Sequence, residues 1–350
     1  MANVNEKLVE FAVTNQINLE SYKNGSSRKL IVILNKLDRQ LQKDILSIET
    51  DVMTKRKYNK ILSLLDEYKA ELKKQITSGA NEENKEFVKT QFKIESTTIN
   101  KALPMDWEFK NPKIGETWDS ILQRPYENRT YNQHYNKWID DHFNIIKNAI
   151  VQGEIENETM VRISRRIFGT SENRFINSLL QPSRRHLKTE NNTTVNHISN
   201  ITKESFYKEN NDIIKGQQFV ATLDTHTTLI CGSLDGAIEL FDKSVDQING
   251  RKPPLHYNCR SLLVPIIKSF RELGLNVDEI PASTRESMDG QVSAKLTYNK
   301  WFDKQSAKVQ KEILGPGRYK LYKDGSVKIS NFTVNNSREL TLSELNALYA

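Results

Sequence analysis

Residues 218–240 read QFVATLDTHTTLICGSLDGAIEL, and residues 252–267 read KPPLHYNCRSLLVPII. Between Gln218 and Leu223, apolar side chains alternate with others at the period of a strand that buries one face. Ser261 to Ile267 is an apolar run. The Pro265 within it is typical of a sheet edge, because proline cannot donate a hydrogen bond to a neighbouring strand. Together the two stretches predict a small β-sheet.

Upstream of this sheet the sequence has the periodicity of helices. Leucine and isoleucine recur at steps of three and four from Leu30 to Ile48, after the helix breaker Gly25 and a Ser26-Ser27 pair in N-cap position. A second apolar stripe runs from Ile61 to Ile76, with Ser78-Gly79 as a stop signal. These patterns predict two long amphipathic helices that pair as a hairpin.

Helical patterns return after the sheet. Thr297 and Thr341 stand where N-caps are expected, and Glu344 completes a capping box with Thr341. The expected fold class is therefore α+β and predominantly α-helical. Four segments are predicted: an N-terminal helical arm (1–110), a helical middle domain (111–216), a small α+β core with short strands (217–290) and a short helical C-terminal segment (291–350).

Composition excludes several classes of protein. Two cysteines in 350 residues cannot staple a small secreted domain. The first nineteen residues mix charged and apolar types, so no signal peptide is expected. The longest apolar run, Leu30–Leu34, is far below the ~20 residues of a membrane span, and no membrane contact is expected. The net charge of +7 permits an acidic partner without requiring one.

The two cysteines lie near histidines. His226 precedes Cys231 by five residues, and His256 precedes Cys259 by three. Thiolates and imidazoles are the ligands that zinc prefers, so these four residues are the candidate metal ligands. The separation between Cys231 and His256 exceeds that of compact zinc fingers. Three interpretations stay open: a zinc site, a Cys231–Cys259 disulfide, or packed thiols beside a hydrogen-bonded histidine.

The order of three short motifs resembles a known family. Thr222-Leu223-Asp224, then Leu234-Asp235-Gly236, then His256-Tyr257-Asn258-Cys259-Arg260 are similar to the core of the phage head morphogenesis proteins, the Mu F-like minor head proteins. The similarity extends over about Ile114 to Leu345. The sequence departs from the family pattern at Thr228, which stands where the family's hairpin has its first cysteine, and at Tyr257, which replaces a proline.

The resemblance implies a structural protein of the virion and no enzymatic activity. Members of this family act inside the capsid, associate with the portal ring and other virion proteins, and serve head assembly and DNA packaging or ejection. The implied location is the capsid interior, after assembly in the host cytoplasm. The core residues are expected to maintain the fold, with Arg260 braced by one of the two carboxylates; these residues are Asp224, Asp235, Gly236, Asn258 and Arg260.

Two basic clusters are candidates for contact with packaged double-stranded DNA. One comprises Arg162, Arg165 and Arg166, and the other Arg184, Arg185 and Lys188. Such contacts are independent of sequence and weaken with salt. The alternative for each cluster is a solvated helix face. Two alternative functions also stay open: a sequence-independent DNA-binding helical protein, and a metal-dependent nuclease or toxin domain around the candidate metal ligands.

Overall fold

The computed structural model describes residues 4–48, 54–173, 175–276, 283–334 and 338–349. Helices dominate these residues, and the strands are short and antiparallel, so the predicted fold class is confirmed. No helix in the described ranges is both long enough and apolar enough to cross a membrane. In chain order the elements are α1 Val4–Ser47, α2 Lys55–Ala102, α3 Ile114–Gln123, α4 Tyr131–Ile155, α5 Met160–Phe168, α6 Gln181–Glu209, β1 Ile214–Val220, α7 Leu229–Leu234, β2 Ile238–Leu240, β3 Leu262–Ile267, β4 Thr284–Ser287, β5 Gly290–Ser293, α8 Tyr298–Asp303, α9 Ala307–Lys323, β6 Thr333–Val334, β7 Arg338–Glu339 and α10 Leu342–Tyr349.

The chain forms two compact units, each assembled from separate stretches of sequence. The first unit comprises Met1–Glu20, Val88–Ile121 and Asn196–Ala350. The second comprises Ser21–Phe87 and Leu122–Val195. The division into four consecutive segments stays a prediction.

The first helix begins much earlier than the sequence predicted. Helix α1 runs without interruption through Gly25, so the expected break and the N-cap at Ser26-Ser27 were wrong. Both serines are buried and bond across to α6: Asn191 Nδ2 donates to Ser26 Oγ at 3.1 Å, and Ser27 Oγ donates to Asn192 at 3.0 Å. A glycine inside a helix costs only about 1 kcal/mol relative to alanine, which these contacts and the burial around them offset.

Helix α2 likewise passes through its predicted stop. It continues beyond Ser78-Gly79 to Ala102, because Ile76 and Ala80 on either side of the glycine are buried against other elements. In the second unit α1 and α2 lie antiparallel, with Tyr22 stacked on Phe87 at 4.4 Å between ring centroids. The predicted hairpin of long helices is therefore confirmed, with longer arms than expected.

The main sheet has the strand order β2-β1-β3, and both pairs are antiparallel. Pro265 of β3 lies opposite Gln217 of β1, so its missing N–H falls in an edge strand, as predicted. The outer side of β3 is protected by asparagines: the Leu263 N–H donates to Asn200 Oδ1, and the Ile267 N–H donates to Asn5 Oδ1, both at 2.8 Å. The edge is thereby closed to further strands.

The C-terminal helices pack within the first unit around buried Tyr298, Trp301 and Phe302. Thr297 occupies the N-cap position of α8, as predicted, but its side chain makes no capping bond. Asp235 takes that role by accepting from the Tyr298 N–H at 2.7 Å. The capping box at α10 is confirmed, since the Thr341 N–H donates to Glu344 at 2.8 Å and the Glu344 N–H donates to Thr341 Oγ1 at 3.3 Å.

Candidate functional site

Cys231 is positioned by the short helix α7. Thr228 is the N-cap, and its hydroxyl accepts a hydrogen bond from the Cys231 N–H at 3.3 Å. This threonine, which replaces a cysteine of the family pattern, therefore holds the remaining cysteine in place. Capping satisfies one of the unpaired donors of the first helical turn. The Cys231 side chain is buried.

His256 and Cys259 are brought together by a tight turn. The Cys259 N–H donates to the His256 carbonyl at 3.1 Å, and Asn258 within the turn has a positive φ of 57°. Asparagine is one of the few residues other than glycine that adopt this conformation readily. The spacing of three residues in the sequence thus places imidazole and thiol on the same side of the turn.

The two stretches meet, so three of the four candidate metal ligands form one cluster. Cys231 Sγ lies 3.2 Å from His256 Nε2 and 3.8 Å from Cys259 Sγ, and the three ligand atoms lie within 4.8 Å of one another. Both cysteines are free thiols, so the disulfide interpretation was wrong for this conformation. His226 is not part of the cluster; its N–H donates to Asp224 Oδ1 at 3.0 Å.

The geometry of the cluster fits a zinc ion. Two sulfur ligands of a tetrahedral zinc, each at about 2.3 Å, lie about 3.8 Å apart. His256 Nδ1 donates to the Tyr257 carbonyl at 2.9 Å, and this bond leaves Nε2 as the nitrogen that faces the thiols. A backbone carbonyl behind the second ring nitrogen is the usual partner of a metal-binding histidine. The cluster supplies three ligands, and no fourth side chain among the described residues joins it.

The two thiols differ in acidity. The hydrogen bond to Cys259 and burial raise the pKa of the Cys231 thiol. Burial alone would also raise the pKa of Cys259, but the hydrogen bonds from Cys231 and His256 and the charge of the imidazole lower it below its usual value. The lower pKa of the pair therefore belongs to Cys259, which favours Cys231 as the hydrogen-bond donor between the two sulfurs.

Of the two carboxylates expected as partners of Arg260, Asp224 and Asp235, the structure pairs it with Asp224. Its guanidinium makes a two-pronged contact with Asp224, at 2.6 Å and 2.8 Å. Burial by itself raises the pKa of Asp224, but the hydrogen bonds and charge of Arg260 outweigh it and hold that pKa below its usual range. Because this carboxylate is already neutralised by arginine, it is poorly placed to serve as the cation ligand of a nuclease.

Asp235 has a different partner, which the sequence did not reveal. It is paired with Arg285 of β4 at 3.1 Å, and both side chains are almost fully buried. Asp235 also accepts from the Ala221 N–H at 2.8 Å. Gly236 follows with a φ of 88°, so the chain turns sharply directly after the buried carboxylate. The Leu-Asp-Gly motif thus ties three parts of the first unit together. Arg285 lies outside every motif, and no signal in the sequence identified it.

The predicted DNA-contact residues divide into bound and free side chains. Arg162 and Arg166 both pair with the buried Glu158, at 2.9 Å and 2.7 Å, so two of the three arginines of the first cluster are engaged within the protein. Arg184 pairs with Asp38 at 2.6 Å. Arg165, Arg185 and Lys188 are exposed and make no ion pair within the described ranges.

The second unit contains a buried polar network that the sequence did not predict. Tyr68 Oη donates to Asp38 Oδ1 at 2.6 Å, and His142 lies 2.9 Å from Tyr68 Oη and 3.2 Å from Asp38 Oδ1. His142 Nδ1 is also 2.8 Å from Ser183 Oγ. Burial, then the charge of Asp38, raises the pKa of Tyr68 well above its usual value, so Tyr68 stays a neutral donor.

Comparison with known proteins bears on the central part of the chain. Residues 143–264 match the family model described as Phage Mu protein F like protein. This match includes the cysteine–histidine cluster and the Asp224–Arg260 pair, and it is shorter than the similarity expected from Ile114 to Leu345. No curated protein and no solved structure matches the chain. The family resemblance predicted from the sequence is thereby supported over residues 143–264, about a third of the chain, where the sequence is similar to the Mu F-like proteins.

Proposed function

We propose that this protein is a minor virion protein that associates with the portal ring inside the capsid and supports head assembly and DNA packaging or delivery. The observation that carries the proposal is the family match, which spans the residues of the cysteine–histidine cluster. A structural role agrees with the chemistry of this region, because its ionisable groups are bound to one another: Asp224 to Arg260, Asp235 to Arg285, and Cys231 to His256 and Cys259.

We include in the proposal a surface for contact with another virion protein. In the segment between α5 and α6, Ile176 is 73% exposed and Leu179 is 43% exposed. Large apolar side chains that stay exposed close together mark protein–protein contacts more often than isolated ones do.

The test is to look for this chain in purified particles and for its co-purification with the portal ring. We expect a few copies per particle, and we expect Ile176→Asp/Leu179→Asp to reduce recovery with the portal at unchanged thermal stability. Ile155→Asp is the matched control, since Ile155 at the end of α4 is 71% exposed and lies outside the proposed surface. Absence of the protein from intact particles would refute the proposal.

We also propose that the cysteine–histidine cluster holds a structural zinc ion through Cys231, His256 and Cys259. The support is the sulfur–sulfur distance and the orientation of the imidazole described above. The ion would link α7 to the 256–259 turn, which are far apart in sequence. We assign the ion a crosslinking role; the three side chains would leave the fourth position of its tetrahedron to another ligand.

A further inference from the structure

The second unit contains a cavity whose lining does not include Ile176 or Leu179 of the proposed protein-contact surface. Its volume is about 580 Å³, and it lies between α1, the segment before α6 and the first turn of α6. Its lining includes three cationic side chains, Arg39 and Lys43 of α1 and Arg184 of α6, and one carboxylate, Asp38. The space is of the size that small ligands and single nucleotides occupy.

The charge in this cavity is not balanced by the protein. Asp38 is fully engaged: it pairs with Arg184 at 2.6 Å and accepts from Tyr68 at 2.6 Å. Arg39 and Lys43 are exposed and make no ion pair in the part of the chain that the structure describes. Two unpaired cations one helical turn apart, in a concave site, favour an anion with several acceptor oxygens.

Cations continue beyond the cavity along both helices. Lys36 precedes Arg39 by three residues on α1, and Lys188 follows Arg184 by four on α6, so each lies on the same helix face as its neighbour. The two helices are joined by bonds such as Arg184 Nε to Asn35 Oδ1 at 2.9 Å. A single small anion needs one or two of these cations, whereas a row of them suits a chain of phosphates.

We propose that this cavity and the cations beside it bind the phosphodiester backbone of a nucleic acid strand, with Arg39 and Lys43 as the principal contacts. The site adds α1 to the second basic cluster predicted from the sequence, and it excludes Arg162 and Arg166, which are paired with Glu158. The contact carries no sequence information, since phosphates are the same along the strand. It is independent of portal association, and it can be tested on the isolated full-length chain.

The experiment measures the binding of fluorescent oligonucleotides, single-stranded and duplex, by anisotropy at a series of salt concentrations. The test variant is Arg39→Gln/Lys43→Gln. The matched control is Lys73→Gln/Lys74→Gln, which removes the same charge from exposed positions on α2, away from the cavity. Thermal unfolding of both variants checks that they fold as the wild type does.

We expect the test variant to bind at least about tenfold more weakly at low salt, and its log–log salt slope to fall by about two, one for each phosphate that the variant no longer neutralises. The control should retain wild-type affinity. The proposal is overturned if neither probe binds the wild type, or if the two variants weaken binding equally, because net charge alone then explains it. Saturable binding of a mononucleotide at matched ionic strength, without oligonucleotide binding, would also overturn it.

Discussion

The cysteine–histidine cluster of the first unit and the Asp38 network of the second are both buried assemblies of polar side chains, but they arise differently from the sequence. Cys231, His256 and Cys259 come from two short motifs, and the tight turn places two of them together. Asp38, Tyr68 and His142 come from three different helices and meet only through packing. Motif-based reading therefore finds the first assembly and misses the second.

The two assemblies also differ in what their members can bind. The cluster offers two sulfurs and a nitrogen at the spacing of a tetrahedral ion. In the network the polar groups already form hydrogen bonds with one another. Arg184 and Tyr68 both donate to Asp38, and His142 is hydrogen-bonded to Ser183. Satisfied buried networks stabilise one arrangement of helices. The first assembly is thus the candidate site for a metal ion, whereas the buried groups of the second bind one another and stabilise the packing of the helices.

The largest loss of folding stability is expected when the proposed zinc ion is removed. Chelation of the purified protein should lower its stability by roughly 5 kcal/mol if zinc had been present at ten thousand times its Kd, because the ion binds the native state alone. Thermal unfolding with and without chelator, together with elemental analysis, provides the measurement. Cys231→Ser should lose the metal, whereas Ser233→Ala on the same helix should keep it. A metal-free protein of unchanged melting temperature would leave the cluster as a hydrogen-bonded assembly and refute the zinc proposal.

The second-largest loss of folding stability is expected when the buried Asp235 carboxylate is removed. Asp235→Ala removes the carboxylate from the buried Arg285 guanidinium, which keeps only backbone carbonyls as acceptors, and removes the acceptor of the Ala221 and Tyr298 N–H groups. A buried charge that has lost its partner costs about 3–5 kcal/mol. Urea unfolding of the variant measures the change, and Asp242→Ala, an exposed carboxylate in the same unit, is the control. Equal stability of the two variants would contradict the importance assigned to the Leu-Asp-Gly motif.

These differences show how far sequence reasoning reached. Local signals were read correctly: the strand with Pro265 at the edge and the capping box of Thr341. Signals whose meaning depends on distant contacts were misread. Ser26 and Ser27 carry the residue types of an N-cap, but their hydroxyls bond to α6, so α1 continues through them. Arg285 and Asp38 have no motif at all, and their partners lie 50 and 146 residues away in the chain.

A smaller loss is expected from neutralising the network of the second unit. Asp38→Asn keeps the shape of the side chain but removes the charge that holds Arg184, and it should cost about 2 kcal/mol, the range for hydrogen bonds to charged groups. Guanidinium unfolding monitored by tryptophan fluorescence is suitable, since Trp138 packs against His142. Asp44→Asn, a partly exposed carboxylate on the same helix, should change stability little. Comparable losses in both variants would show that the network is not specifically stabilising.

The smallest effect concerns the half-buried Asp224–Arg260 pair and depends on pH. Because Arg260 lowers the pKa of Asp224 in the folded state, the pair contributes stability above the ordinary carboxyl pKa of about 3.9, and the contribution is lost as the pH falls through the lowered value. Asp224→Asn should therefore be less stable than the wild type at pH 7 by about 1 kcal/mol, and the difference should shrink below about pH 4. Stability curves of both proteins from neutral to acidic pH test this. If the variant and the wild type differ in stability by the same amount at neutral and at acidic pH, Asp224 acts through its hydrogen bonds to the 226–227 turn and not through its charge.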